Sequence, residues 1–151
     1  MGKNNQLLSW TSKGIASGGV PSPEELEKTP CYPGIERLWK GPVVVIECLQ
    51  EIPCNPCEAA CPSGAIKIGA SINNLPVLDE DKCTGCGLCI SSCPGLAIFV
   101  LDLNHDHESA LLSFPFEYFP LPMVGEEVTA TDREGKPVSY THLTLPTKRI
   151  V

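Results

Sequence analysis

The apolar positions of the chain fall into short runs separated by turn residues, and the runs recur in one order. Residues 41–48, GPVVVIEC, form a β-branched stretch of strand type that delivers the chain into a cysteine-rich loop. Beyond that loop AIKIG (65–69) reads as a short strand and SINN (71–74) as a turn, and LPVLDEDKC (75–83) is a second strand that again runs into cysteines. AIFVLDL (97–103) repeats the exit. EAAC (58–61) and LCISSC (88–93) are small-residue stretches that fit a helical turn or two. The predicted order is strand, cysteine loop, short helix, strand, performed twice.

The flanks carry other patterns. Residues 1–20 are polar and glycine-rich, with Trp10 as their one aromatic side chain. They read as a flexible tail, or as an arm that orders against a partner with Trp10 as its anchor. Ser22-Pro23-Glu24-Glu25 is a helix start, with Ser22 as N-cap, Pro23 in the first helical position and Glu25 closing a capping box. Pro30 and Pro33 stop that helix within two turns. Past Asp102 the polar turn LNHDHES leads into ALLSFPFEYFPLP, whose first half is expected to pair with AIFVLDL as a hairpin. EEVTATDREGKPV alternates around an Asp-Arg-Glu-Gly turn and predicts a second hairpin built on Val128 and Val138.

Eight of the nine cysteines lie between Cys48 and Cys93. Cys83-x2-Cys86-x2-Cys89-x3-Cys93-Pro94 has the spacing of a bacterial-type iron–sulfur run, in which three thiolates hold one cluster and the fourth reaches to another. The run is repeated: Cys54, Cys57, Cys61, Pro62, Ala65 and Ile66 recur as Cys86, Cys89, Cys93, Pro94, Ala97 and Ile98, each 32 residues on. By that logic Cys83, Cys86, Cys89 and Cys61 bind cluster II, and Cys54, Cys57 and Cys93 bind cluster I. The remaining ligand of cluster I is open. The repeat would put it at Glu51, and the nearest preceding cysteine is Cys48, separated from Cys54 by the five-residue spacer LQEIP. Cys48 is the expected ligand, with Cys31 or a three-iron cluster with an open corner as alternatives.

Cys31 is otherwise expected to be a free thiol on a loop. His105 and His107 form an H-x-H pair, read as solvated side chains rather than a metal site. No nucleophile triad or phosphate-binding glycine loop occurs, so no independent catalytic residue is expected.

Composition sharpens this picture. With aromatic residues at only 6%, 15 prolines and 13 glycines, the core has to be small, and metal–thiolate cross-links would supply what burial does not. A net charge of −7 excludes a phosphate-binding surface and hence nucleic acid as partner. Two oxidised clusters with their thiolates would take the charge to about −11, favouring a basic or apolar docking face on a partner. The N-terminus has no apolar signal region and no segment approaches a membrane span, so a reducing, cytoplasmic setting without membrane insertion is expected, where paired CxxC runs point to metal rather than disulfides.

The paired runs resemble the two-cluster bacterial ferredoxins over about residues 42–103. The resemblance implies an α+β, ferredoxin-like dicluster fold with a pseudo-twofold repeat, two [4Fe–4S] clusters and one-electron transfer. The flanks, VPSPEELEKTP and ERLWKGPVVVIECLQEIPCNPCEAACP, are similar to small iron–sulfur subunits of FAD-dependent proline or hydroxyproline dehydrogenases, implying a flavoprotein partner. The expected organisation is an N-terminal arm with a short helix (1–41), the dicluster domain (42–104) and a β extension (105–138). Residues 139–151, SYTHLTLPTKRIV, resemble translated sequencing-adapter DNA and are expected to be a non-native tail. A freely diffusing ferredoxin and a four-cysteine structural metal module are the competing functions.

Overall fold

The computed structural model describes residues 14–107, 109–132 and 135–142. Trp10 and the first thirteen residues, Arg133 and Glu134 of the expected turn, and residues 143–151 lie outside the described residues.

The structure is a mixture of short helices and small antiparallel sheets. β1 (Val43–Ile46) pairs with β4 (Ile98–Asp102), with Val43 opposite Leu101 and Ile46 opposite Ile98. β4 also pairs with β5 (Leu111–Ser113), giving a three-stranded sheet in the order β1-β4-β5. β2 (Ile66–Lys67) and β3 (Val77–Leu78) form a minimal ribbon, and β6 (Glu127–Thr131) pairs with β7 (Pro137–His142) in a hairpin. β4 and β5 pair as expected, whereas in the second hairpin Val128 stands opposite Thr141 and the register shifts between Ala130 and Thr131. β7 runs past Ser139, into the stretch expected to be non-native.

All four residues of β1 are buried, because the strand is covered on both faces. Val44 and Ile46 point to a cluster with Ile66, Ile98, Val100, Cys31 and Cys89, while Val43 and Val45 pack with Leu38. Alternation along a strand sends successive side chains to opposite faces, so an uninterrupted VVVI run is what a doubly covered strand requires. Each fully buried aliphatic side chain contributes about 1.5–3 kcal/mol.

Leu38 comes from α3 (Ile35–Leu38), a helical turn the hydrophobic pattern did not predict. α2 (Pro23–Glu27) carries the predicted capping box, with Ser22 Oγ accepting from the Glu25 N–H at 3.3 Å and the Glu25 carboxylate accepting from the Ser22 N–H at 2.9 Å. That carboxylate also accepts the Ile15 N–H at 3.0 Å, tethering a further short turn, α1 (Ile15–Gly18). No helix among the described residues is long and apolar enough to cross a membrane.

Candidate metal centres

Two helical turns carry the cysteines that matter most. In α4 (Pro56–Ala60) Cys57 lies on the first turn and Cys61 caps the C-terminus; in α5 (Leu88–Ser92) Cys89 and Cys93 take the same places. Both caps leave the helix in extended geometry, φ −86 and ψ 104 at Cys61, φ −84 and ψ 109 at Cys93. The departure turns each cap cysteine away from the helical cysteine four residues before it. One helix can therefore serve two cavities.

The thiols collect around two concave, largely apolar cavities. Cys61, Cys83, Cys86 and Cys89 line one, together with Val44, Ala65, Ile66 and Val100. Cys48, Cys54, Cys57 and Cys93 line the other, together with Ile46, Ile52, Ile68 and Ile98. Each cavity thus draws three cysteines from one stretch of chain and one from the other half. The spacer from Leu49 to Pro53 lets Cys48 lie beside Cys54, because Gln50 and Ile52 form part of the wall and the Cys54 N–H is tied to the Ile72 carbonyl at 3.0 Å.

Several backbone amides are aimed at sulfur. The Ala65 N–H donates to Cys61 Sγ at 3.2 Å, the Ala97 N–H to Cys93 Sγ at 3.5 Å and the Val44 N–H to Cys83 Sγ at 3.4 Å. Such donors favour thiolate over thiol and are what a metal-bound sulfur accepts. Without metal the buried thiols hold their protons. Burial pushes Cys57 up to about 11, reinforced by the nearby Cys93 and Cys54 sulfurs, and Cys89 up to about 12, reinforced by Cys83, Cys86 and Cys61. Cys48 is raised as well, by burial and then by Cys31, Cys93 and Cys54. The sulfurs that raise Cys48, Cys57 and Cys89 are those that share their cavities, with Cys31 added for Cys48.

The donor set fits a cubane. Four thiols standing around a cavity, each free to bond its own iron, suit a four-iron cluster.

Three residues that support the site were not picked out from the sequence. Arg37 of α3 donates to four backbone carbonyls, Glu80 and Cys83 at 2.9 Å, Pro42 at 3.0 Å and Gly41 at 3.1 Å, and so clamps the start of the second cysteine loop to the entrance of β1. Gly85 lies against Pro42 with φ +65. Ser63 stands with its Oγ 3.5 Å from Cys61 Sγ. A solitary arginine before a strand carries no local signal, and Ser63 is one of several positions at which the two halves of the repeat differ, with Gly95 as its counterpart.

Cys31 lies on a loop but is completely buried, and its Sγ donates to the Ile46 carbonyl at 3.3 Å. It lines neither cavity. His105 and His107 are exposed on their turn.

Residues 52–97 match the family of the 4Fe–4S dicluster domain. The chain is 31% identical over 80 residues to the ferredoxin-type protein NapF of Haemophilus influenzae, covering 50% of this chain and 46% of that one. It is 37% identical over 59 residues to the polyferredoxin-like subunit of an aliphatic sulfonate oxidoreductase of Pyrococcus furiosus, covering 39% and 33%. It is 32% identical over 89 residues to subunit I of the F420H2 dehydrogenase of Methanosarcina mazei, covering 51% and 50%. The chain spans about half or less of the length of these curated relatives. No solved structure matches it significantly.

Proposed function

We infer that this chain, whose residues 52–97 form a 4Fe–4S dicluster domain of the two-cluster ferredoxin family, is an electron-transfer protein whose two clusters are held by crossed ligation. Cluster I is assigned to Cys48, Cys54, Cys57 and Cys93, and cluster II to Cys61, Cys83, Cys86 and Cys89. The observation that carries the assignment is that each cavity is lined by four thiols drawn from both halves of the repeat. Cys31 and a three-iron centre are disfavoured for cluster I because Cys48 lines the cavity and Cys31 does not. The same reading makes the fold ferredoxin-like and pseudo-twofold, β1-α4-β2 being matched by β3-α5-β4, with residues 42–104 as the domain, 1–41 as its arm and 105–138 as a β extension.

A bound 4Fe–4S cluster supplies one-electron transfer at a potential set by its surroundings. The protein's part is to hold the thiolates, to direct the amides of Val44, Ala65 and Ala97 at sulfur, and to keep water out with the aliphatic walls. No substrate chemistry is required of it.

The chain is best read as a cytoplasmic subunit of an oxidoreductase complex that exchanges electrons with a flavoprotein dehydrogenase. Two of the relatives above are subunits by name. The β extension exposes an apolar run that electron carriage alone does not need: Phe114, Phe116 and Tyr118 stack edge to face at 6.3 and 5.7 Å, and Tyr118 and Phe119 are 76% and 84% exposed. Patches of this kind mark interaction surfaces. The net charge of −7 disfavours a second copy as occupant and favours a partner with an apolar face and a basic rim. The flanking similarity to the iron–sulfur subunits of proline-type dehydrogenases makes that partner a flavoprotein.

Anaerobic size exclusion of native extract is the test. Co-elution of the brown chain with a flavin-containing protein supports the reading. A small brown protein eluting alone would favour a free ferredoxin, and a colourless protein containing zinc would exclude electron transfer altogether.

A further inference from the structure

The two Cys-Pro corners are alike in backbone and differ in sequence at two positions, Ser63 against Gly95 and Gly64 against Leu96. Besides the matched torsions of Cys61 and Cys93, Gly64 and Leu96 both take left-handed conformations, at φ 64 and φ 53, and in each corner the amide four residues on donates to the sulfur. Two residues after the cysteine, the first corner has Ser63 and the second has Gly95. Ser63 Oγ lies 3.5 Å from Cys61 Sγ. An iron-bound cysteine is a thiolate without a proton, so in the loaded protein the hydroxyl must be the donor. Hydrogen bonds to ligand sulfur favour the reduced, more negative form of a cluster.

We propose that Ser63 sets the two centres apart in potential: its hydroxyl donates to the Cys61 thiolate and raises the potential of the cluster bound by Cys61, Cys83, Cys86 and Cys89, making that centre the end point of electron transfer within the chain. Ser63 is a positioning and tuning residue, not a ligand. The proposal rests on the crossed ligation above. Gly95 provides an internal control, since a Cβ placed there meets no atom within 4 Å and a serine can be accommodated.

The experiment is an anaerobic redox titration of the full loaded chain, followed by electron paramagnetic resonance. Cys86→Ser marks the couple belonging to the second run through its altered signal. Ser63→Ala should move that marked couple to lower potential by about tenfold in its equilibrium constant, which for one electron is about 59 mV, and leave the other couple in place. Ser63→Thr should restore it, and Gly95→Ser should raise the other couple. If neither couple moves in Ser63→Ala while iron content is unchanged, the role of Ser63 is overturned. If instead the unmarked couple moves, the crossed ligation itself is overturned and Ser63 acts on the other cluster.

Discussion

Gly85 lies directly against Pro42, so that a Cβ on Gly85 would stand 2.6 Å from the Pro42 Cβ and 2.8 Å from its carbonyl carbon and oxygen. The contact joins the second cysteine loop to the entrance of β1, and the backbone on the loop side is left-handed at φ +65. Gly85→Ala therefore meets both an overpacked contact and a strained backbone, together costing on the order of 3 kcal/mol. The expected result is loss of iron from the centre that includes Cys83 and Cys86, measured as the iron-to-protein ratio after anaerobic purification.

Arg37 does from the side what Gly85 does face on. Its guanidinium reaches four carbonyls in fixed fork geometry, which a lysine ammonium does not reproduce. Arg37→Lys is expected to cost about 2 kcal/mol and to accelerate bleaching by an iron chelator. A chelation rate equal to that of the parent chain would show that the clamp is dispensable.

Cys61→Ala separates crossed from local ligation. Although Cys61 belongs to the first run, the substitution should abolish the centre of Cys83, Cys86 and Cys89 and leave the other intact, roughly halving the iron content. Spectroscopy of the surviving cluster decides it: a remaining signal that responds to Cys86→Ser would contradict the assignment.

Leu96 holds φ 53, the conformation that Gly64 supplies at the equivalent corner. A non-glycine residue there costs about 1–2 kcal/mol, partly offset because glycine loses more entropy on folding, about 0.5–1 kcal/mol. Leu96→Gly should raise the temperature of irreversible bleaching by a few degrees, a gain on the order of 1 kcal/mol.

The aromatic run makes a separable prediction about assembly. Tyr118→Ser with Phe119→Ser removes two largely exposed rings and should leave iron content and visible absorbance unchanged. Co-elution with the flavoprotein partner should be lost. Retained co-elution in the double variant would place the docking surface elsewhere.

Much of the local structure was legible because its causes are local. The capping box at Ser22 and Glu25 needs only a three-residue spacing, and the VVVI run and its turn-bounded neighbours declare strands by composition. The short helices around Cys57 and Cys89 follow from the cysteine spacing itself, with Pro56 at the start of one of them. α3 escaped notice because a four-residue turn has no periodicity to detect, and its helical state is held by Leu38 in the core and by the Arg37 clamp. The burial of Cys31 was also hidden, since nothing within TPCYPG distinguishes a core thiol from an exposed one.

The sequence by itself determined that there are two cysteine runs related by 32 residues, and that the register of the repeat breaks at Glu51. It determined this because spacing along the chain is a covalent property. Only the tertiary structure decided which thiols meet. The antiparallel pairing of β1 with β4 puts Val44 opposite Val100, closing residues more than fifty apart into one core, and the extended caps of α4 and α5 then send Cys61 and Cys93 across it. That same closure brings Cys48 to the wall shared with Cys54, seats Pro42 on Gly85, and leaves Ser63, but no counterpart at Gly95, within reach of a sulfur. These contacts come from long-range burial and pairing, which the order of residues constrains only through the fold as a whole.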